Sequence, residues 1–420
     1  MYASPSTFGR SYLQFAVFIF AAIALIVPSG YSLGAALILL AGLLVLLRFP
    51  SALRDLQPAD YWLLAVLCCF ALVGITNALW HGGGSRYLDK PSRFFLAALG
   101  FLAFLKYHPG VRCWWAGVAV GGCGAGGWAI YQKITLEVER SGGYTHVIQY
   151  GNLSMLLGLW CLAGLLWAHQ QGRHARLWLS ALALGAALGA LGSLLSGSRG
   201  GWIGLPLILV VFYRVYGDLI RKKTQAVIAL FIVALAALVY FSPGLNVQDR
   251  IHHAVEDIQL YFVEDNPHSS LGGRFEMWKA SAALIQARPW MGWGEQHYVN
   301  GLEQMVAQEK AHPIVTDWGH PHNEFLNQWT KQGLPGVLSL LALYALPLFL
   351  FGPGLRAARR EQRALALAGA LLAVTFIDFG LSQSFLAHNS GVMMYAFGCI
   401  ILWGLYRPYV LPLGAGQKSP

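Results

Sequence analysis

Long apolar runs recur along nearly the whole chain, and they leave little choice of fold. A helix that crosses a bilayer needs about 20 mostly apolar residues. Twelve stretches approach that length, at roughly 11–27, 31–47, 60–80, 91–107, 112–131, 147–168, 176–196, 200–217, 224–243, 334–351, 363–385 and 388–406. A soluble fold would have to hide them beneath a charged surface, and the chain has too little charge for that. Only 11% of its residues are charged, against 56% hydrophobic, where soluble domains run near ~25% charged. This excludes a cytosolic globular protein, a coiled coil and a disordered chain. The runs are continuous rather than alternating, which argues against a transmembrane β-barrel. The expected class is an all-α polytopic membrane protein with about 12 transmembrane helices.

The parts follow in order. Residues 1–243 carry spans one to nine, residues 244–333 form one long polar connection, and residues 334–420 carry spans ten to twelve with a short tail. The first run continues from Tyr12 to Val27 with no small-residue cleavage site after it, so it reads as a span rather than a signal peptide. The six cysteines all lie in or beside apolar segments, and no structural disulfide is expected.

The net charge of +10 needs no nucleic acid to explain it. Seventeen Lys and Arg fall on one set of connections, from Arg10 and Arg48 through the Arg221–Lys223 cluster to Arg407 and Lys418. The short loops of the opposite side carry six, at Arg86, Lys90, Arg93, Lys133, Arg140 and Arg199. The positive-inside rule then predicts cytoplasmic N- and C-termini and an outer placement for the long loop. Loops of such length are usually functional. Within it, Arg274–Ala287 has apolar residues near helical spacing, Leu302–Lys310 is a second short candidate, and a third helix is expected to start at Pro321-His322 and enter the tenth span. The loop therefore reads as a helical cap over the membrane domain.

Several motifs have bland readings. Gly122-Cys123-Gly124-Ala125-Gly126-Gly127 fits G-x-G-x-x-G but lies inside an apolar span, so small-residue helix packing is expected rather than a dinucleotide site. No Walker A, D-x-D, H-E-x-x-H or C-x-x-C motif occurs, so neither a metal nor a cofactor is expected. Asp378 is the only acidic residue deep inside a span. It is a helix-packing partner, a support for catalysis, or a relay in a transporter.

The polar residues beside the spans are more specific. Ser196-Gly197-Ser198-Arg199-Gly200-Gly201 sets one arginine among small residues in a tight outer turn. A planar guanidinium there suits phosphate oxygens. Gly272-Gly273-Arg274 opens the first loop helix, with Trp278 one turn on, and places a second guanidinium near a helix N-terminus, which itself favours anions. Arg288, before Pro289-Trp290, is a third cation. His320-Pro321-His322-Asn323-Glu324 is the densest polar cluster next to a span. A histidine at a helix N-terminus is expected to stay neutral, as a general base requires. Trp293, Trp318 and Trp329 flank it, as an interface belt or a sugar-stacking surface.

Taken in order with Met291-Gly292-Trp293-Gly294 and Gln332-Gly333-Leu334-Pro335-Gly336, these motifs resemble the O-antigen ligase and polymerase superfamily over roughly residues 190–340. The resemblance implies a type C glycosyltransferase fold in the bacterial inner membrane. It also implies a periplasmic active site, a glycan donor on undecaprenyl pyrophosphate, and lipid A–core oligosaccharide as acceptor. Its catalytic arginines would fall on Arg199 and Arg274 and its essential histidine on His322, with Arg288, His320, Asn323 and Trp278 as further substrate-binding candidates. Gln332 departs from the pattern, which is expected to carry an acidic residue there. O-antigen polymerases and protein O-oligosaccharyltransferases share the layout. About 14 residues follow the last span, which counts against the latter, since those proteins often carry a soluble region there. A non-enzymatic lipid or solute transporter remains the alternative of a different class.

Overall fold

The computed structural model describes residues 7–198, 200–242 and 247–411, and those residues contain helices and no strand. The helices are α1 (Thr7–Ala22), α2 (Gly30–Arg48), α3 (Pro58–Trp80), α4 (Asp89–Lys106), α5 (Val111–Ile134), α6 (Val147–Ala168), α7 (Ala175–Ser196), α8 (Leu205–Tyr216), α9 (Lys222–Tyr240), α10 (Val247–Val263), α11 (Ser270–Ala287), α12 (Tyr298–Ala307), α13 (Glu324–Phe351), α14 (Arg360–Ser382) and α15 (Asn389–Tyr406). The protein is an all-α polytopic membrane protein. Every expected span coincides with a helix. Among the described residues, eight helical segments, those containing α2, α3, α6, α7, α9, α13, α14 and α15, are long and apolar enough to cross a bilayer. Helices α1 and α8 are shorter, and α4 and α5 are less apolar.

Helices α6, α14 and α15 form the buried centre of the bundle. Side chains on α9 are largely exposed, as suits a helix whose apolar surface meets lipid rather than protein. The α5 glycines do what small residues do in membrane helices. A Cβ on Gly122 would lie 2.6 Å from the Gly185 carbonyl oxygen of α7, so α5 and α7 approach backbone to backbone. A buried ion pair holds the opposite end of the bundle. Asp60, at the start of α3, accepts hydrogen bonds from Arg407 Nε at 2.9 Å and Trp403 Nε1 at 2.8 Å.

Residues 247–323 fold into a helical cap with a small core of its own, in which Met277, Ala280 and Leu284 of α11 meet Tyr298 and Leu302 of α12 and Val315. Its first helix, α10, was not anticipated, although Val247, Ile251, Val255, Ile258 and Phe262 recur along it at helical spacing. The cap is fastened to the bundle by backbone. Helix α13 breaks at Gly333, whose φ of +66° is open to glycine and strained for other residues. A break strands carbonyls that must find donors. The N–H groups of Trp293 and Gly294 donate to Thr330 O at 2.9 Å and Lys331 O at 2.8 Å, and Leu334 N–H donates to Pro289 O at 2.8 Å. The two glycine motifs at 291–294 and 332–336 are thus one joint. On its other flank, Asn77 and His81 of the α3 terminus reach the Met291 carbonyl at 2.8 and 3.3 Å.

Candidate functional site

The cap carries an open cleft of about 470 Å³, lined by His268, Ser269, Arg274, Met277, Trp318 and His322 among others. Two of the residues singled out in the sequence, Arg274 and His322, therefore share one wall. Arg274 sits in the second turn of α11. Burial lowers its pKa without removing its charge, since guanidinium stays protonated at any physiological pH. No hydrogen bond or ion pair engages its side chain among the described residues. The helix N-terminus behind it is already capped: Ser269 Oγ accepts the Gly272 N–H at 3.0 Å and Asp257 accepts the Leu271 N–H at 3.2 Å. An anion in this cleft would meet the guanidinium rather than those amides, which corrects the expectation of a free helix terminus.

His322 also departs from expectation in its setting. Helix α13 begins at Glu324 with Asn323 as its cap, the Asn323 side chain accepting the Leu326 N–H at 3.1 Å. His322 precedes the helix, in the left-handed region at φ 50°. A β-carbon-bearing residue held there is uncommon and strained. What fixes it is its neighbours. Trp278 Nε1 donates to Pro321 O at 2.9 Å, so the tryptophan fastens the histidine turn to α11. The His322 N–H donates to His320 Nδ1 at 3.3 Å, and the two rings lie 4.3 Å apart. The His322 pKa is lowered to about 4, first by burial and second by the Arg274 charge. His320 is pushed down to about 3, first by burial and then by His322. Both are neutral at pH 7. The expected outcome survives, but its cause is burial and a guanidinium, not a helix dipole.

The ring's tautomer can be read from its partner. Gln383, just past the end of α14, turns its Oε1 toward His322 Nδ1 at 2.7 Å, and the same oxygen faces the Ser384 N–H at 3.2 Å. A backbone N–H only donates, so the atom between them is the amide oxygen. Nδ1 of His322 therefore carries the proton, and Nε2 keeps its lone pair. Sequence reading missed Gln383 because it placed this residue inside the eleventh span. The available signal was the polar run Ser382-Gln383-Ser384 interrupting apolar sequence. Glu324 was also missed. It is fully buried and accepts the Leu386 N–H at 2.7 Å and the Gln328 side-chain amide at 3.0 Å, locking the start of α13 to the turn that carries Gln383.

The other candidates are placed as follows. Arg199 lies outside the described residues. Its neighbours are held between α6 and α14: Ser198 Oγ faces Asn152 Oδ1 at 3.3 Å, and Gly200 packs on Ser382, next to Gln383, too closely for any side chain. Arg288 does not join the cleft. It ends α11, about 20 Å along the helix from Arg274 at 1.5 Å per residue, and its guanidinium stacks 4.0 Å over Trp293. Of the three tryptophans, Trp318 lines the cleft, its ring 6.0 Å from that of His322. Asp378 accepts the Gly204 N–H at 2.6 Å at the start of α8. His253 pairs with Glu256 at 3.1 Å on exposed α10.

The tautomer assignment makes a prediction. Replacing Gln383 by leucine leaves the ring without its orienting acceptor, and any proton transfer that uses His322 Nε2 should slow by about 10²-fold. Gln383→Glu keeps an acceptor and adds a negative charge beside the imidazole. It should keep more activity than the leucine variant and move the acid limb of the pH–rate profile upward from about 4. A purely structural role for Gln383 would leave that limb where it is.

Comparison with known proteins points the same way. The O-antigen ligase family model matches residues 184–341, a segment that contains Arg274 and His322 and stops short of Gln383. An uncharacterised protein of Haemophilus influenzae is 28% identical over 381 residues, covering 90% of this chain and 94% of that one. An O-antigen ligase of Escherichia coli K12 is 26% identical over 180 residues, covering 42% of this chain and 40% of the other.

Proposed function

The chain belongs to the O-antigen ligase superfamily, and from that premise we propose that it moves a glycan from undecaprenyl pyrophosphate to a sugar hydroxyl of lipid A–core oligosaccharide. The proposed reaction is metal-independent and inverting and takes place at the periplasmic face of the inner membrane. One observation carries this reading. An arginine with no hydrogen bond or ion pair among the described residues and a neutral histidine with a free Nε2 line the same cleft.

In the proposed reaction the donor's pyrophosphate binds Arg274, with Arg199 as the second cation. His322 Nε2 accepts the proton of the acceptor hydroxyl. The hydroxyl oxygen forms a bond to the anomeric carbon as the bond from that carbon to the pyrophosphate oxygen breaks, and the electron pair leaves on undecaprenyl pyrophosphate. The anomeric configuration inverts because attack comes opposite the leaving group. Guanidinium stabilises the charge that grows on the departing oxygen. A histidine with a pKa of about 4 is a weak base. Binding a pyrophosphate offsets the Arg274 charge that helps lower it, so the donor itself raises the basicity of His322.

Deleting the gene tests the reading. The expected result is lipopolysaccharide with no O-chain on lipid A–core, while polymer accumulates on the carrier lipid. Lipopolysaccharide capped by a single repeat would mean a polymerase instead. An unchanged ladder would remove both and leave protein glycosylation or transport.

A further inference from the structure

A second cavity, of about 340 Å³, opens between the α3–α4 turn, α13 and the turn that joins α14 to α15. Its polar wall includes Arg86, Lys90, Asn327, Gln328, Lys331 and Asn389. Its two acids are already engaged: Asp89 pairs with Arg93 at 2.7 Å, and Glu295 pairs with Lys331 at 2.9 Å. Lys331 also donates to Gly319 O at 2.8 Å. Lys90 and Arg86 have no hydrogen bond or ion pair among the described residues; Lys90 feels the charges of Glu295 and Asp89, but the cations Arg86, Lys90 and Lys331 outnumber these two acids in the lining. Asn327 and Gln328 are 4% and 6% exposed, and each leaves a side-chain oxygen with no donor. Unpaired buried oxygens cost free energy until a donor reaches them, and the hydroxyls of a sugar are such donors. Hydroxyls together with a negative charge describe an anionic sugar.

The position of the cavity selects which sugar. Leu386, Ala387 and Asn389 line it, and they bracket His388. The His388 ring lies 6.2 Å from that of His320, which lies 4.3 Å from that of His322 on the first cleft. A row of three imidazoles thus separates the two cavities. In an inverting displacement the nucleophile approaches from the side opposite the leaving group. With the pyrophosphate beside Arg274, the acceptor comes from the far side of His322.

Resting on the transfer reading above, we propose that the Lys90 cavity is the acceptor subsite, and that it holds a phosphate- or carboxylate-bearing sugar next to the one that is glycosylated. Lys90 and Arg86 take the anion, and Asn327 and Gln328 accept from hydroxyls.

The test is binding, by ligand-observed NMR, of delipidated core oligosaccharide to the full-length protein in detergent. Lys90→Ala should weaken binding about tenfold, Lys90→Arg should restore most of it, and Arg86→Ala, at an exposed position, should weaken it several-fold. Phosphatase-treated or carboxyl-reduced oligosaccharide should bind wild type and Lys90→Ala alike, and whichever treatment does so identifies the anion. Equal binding of the untreated fragment by wild type and Lys90→Ala, or no effect of either treatment, overturns the proposal. In transfer assays Lys90→Ala should raise the acceptor KM and leave the donor KM unchanged. Lys90-dependent binding without transfer to lipid A–core would sink the proposed function and spare the subsite. Transfer with a Lys90-independent acceptor KM would do the reverse.

Discussion

Replacing His322 by asparagine should lower kcat by about 10³-fold, within the range for loss of a general base, while the lipid-linked donor still binds within a few-fold of wild type. Asparagine is the informative choice because His322 sits at φ 50°, a conformation that asparagine tolerates better than most residues. The backbone turn should survive and only the proton acceptor be lost. The wild-type pH dependence supplies an independent check. A base must be deprotonated to act, and the His322 pKa is lowered to about 4. The kcat/KM for the donor, which reports the free enzyme, should be flat from pH 8 to pH 5 and fall as pH drops through about 4. An ordinary histidine would lose activity below about 6.5. Near-normal turnover by His322→Asn, or an acid limb near 6.5 that the variant retains, would remove His322 as the base.

Much of the architecture was legible because membrane solubility imposes one strong pattern. Every stretch read as a span is helical, since a backbone in hydrocarbon must satisfy its own hydrogen bonds. The count of spans was less legible. Helices α4 and α5 carry small and polar residues that serve packing, and these dilute the apolar signal. Arg274 and His322 could be singled out because each interrupts a predictable context, a glycine turn and a span boundary, with a residue able to do chemistry. Lys90 carried no such mark, and the polar run around Gln383 signalled a break in a span without signalling what the residue faces. Each becomes meaningful only when a turn distant in sequence is brought against α13, and pairings of that kind have no local signature. The cause of the low His322 pKa was hidden for the same reason: Arg274 lies 48 positions earlier in the chain, and only the fold of the cap brings its charge to the ring.

Arg274 carries the second large effect. Removing it as Arg274→Ala takes away the uncommitted cation of the cleft, and kcat/KM for the donor should fall by about 10²–10³-fold, as loss of one preorganised charge-stabilising group does. Arg274→Lys should recover only part of this, because an ammonium is a point charge without the planar fork that meets two phosphate oxygens. Two readouts separate this role from simple folding. Undecaprenyl pyrophosphate, the product, should inhibit wild type and lose most of its potency against Arg274→Ala, whereas a structural arginine would leave inhibition of the surviving activity unchanged. The same substitution removes the second cause of the low His322 pKa, so the acid limb of the residual activity should move upward from about 4. The sign is fixed: a cation beside imidazole disfavours protonation, and its loss favours it. An acid limb that stays in place, together with unaltered product inhibition, would mean that Arg274 and His322 do not act on the same pyrophosphate.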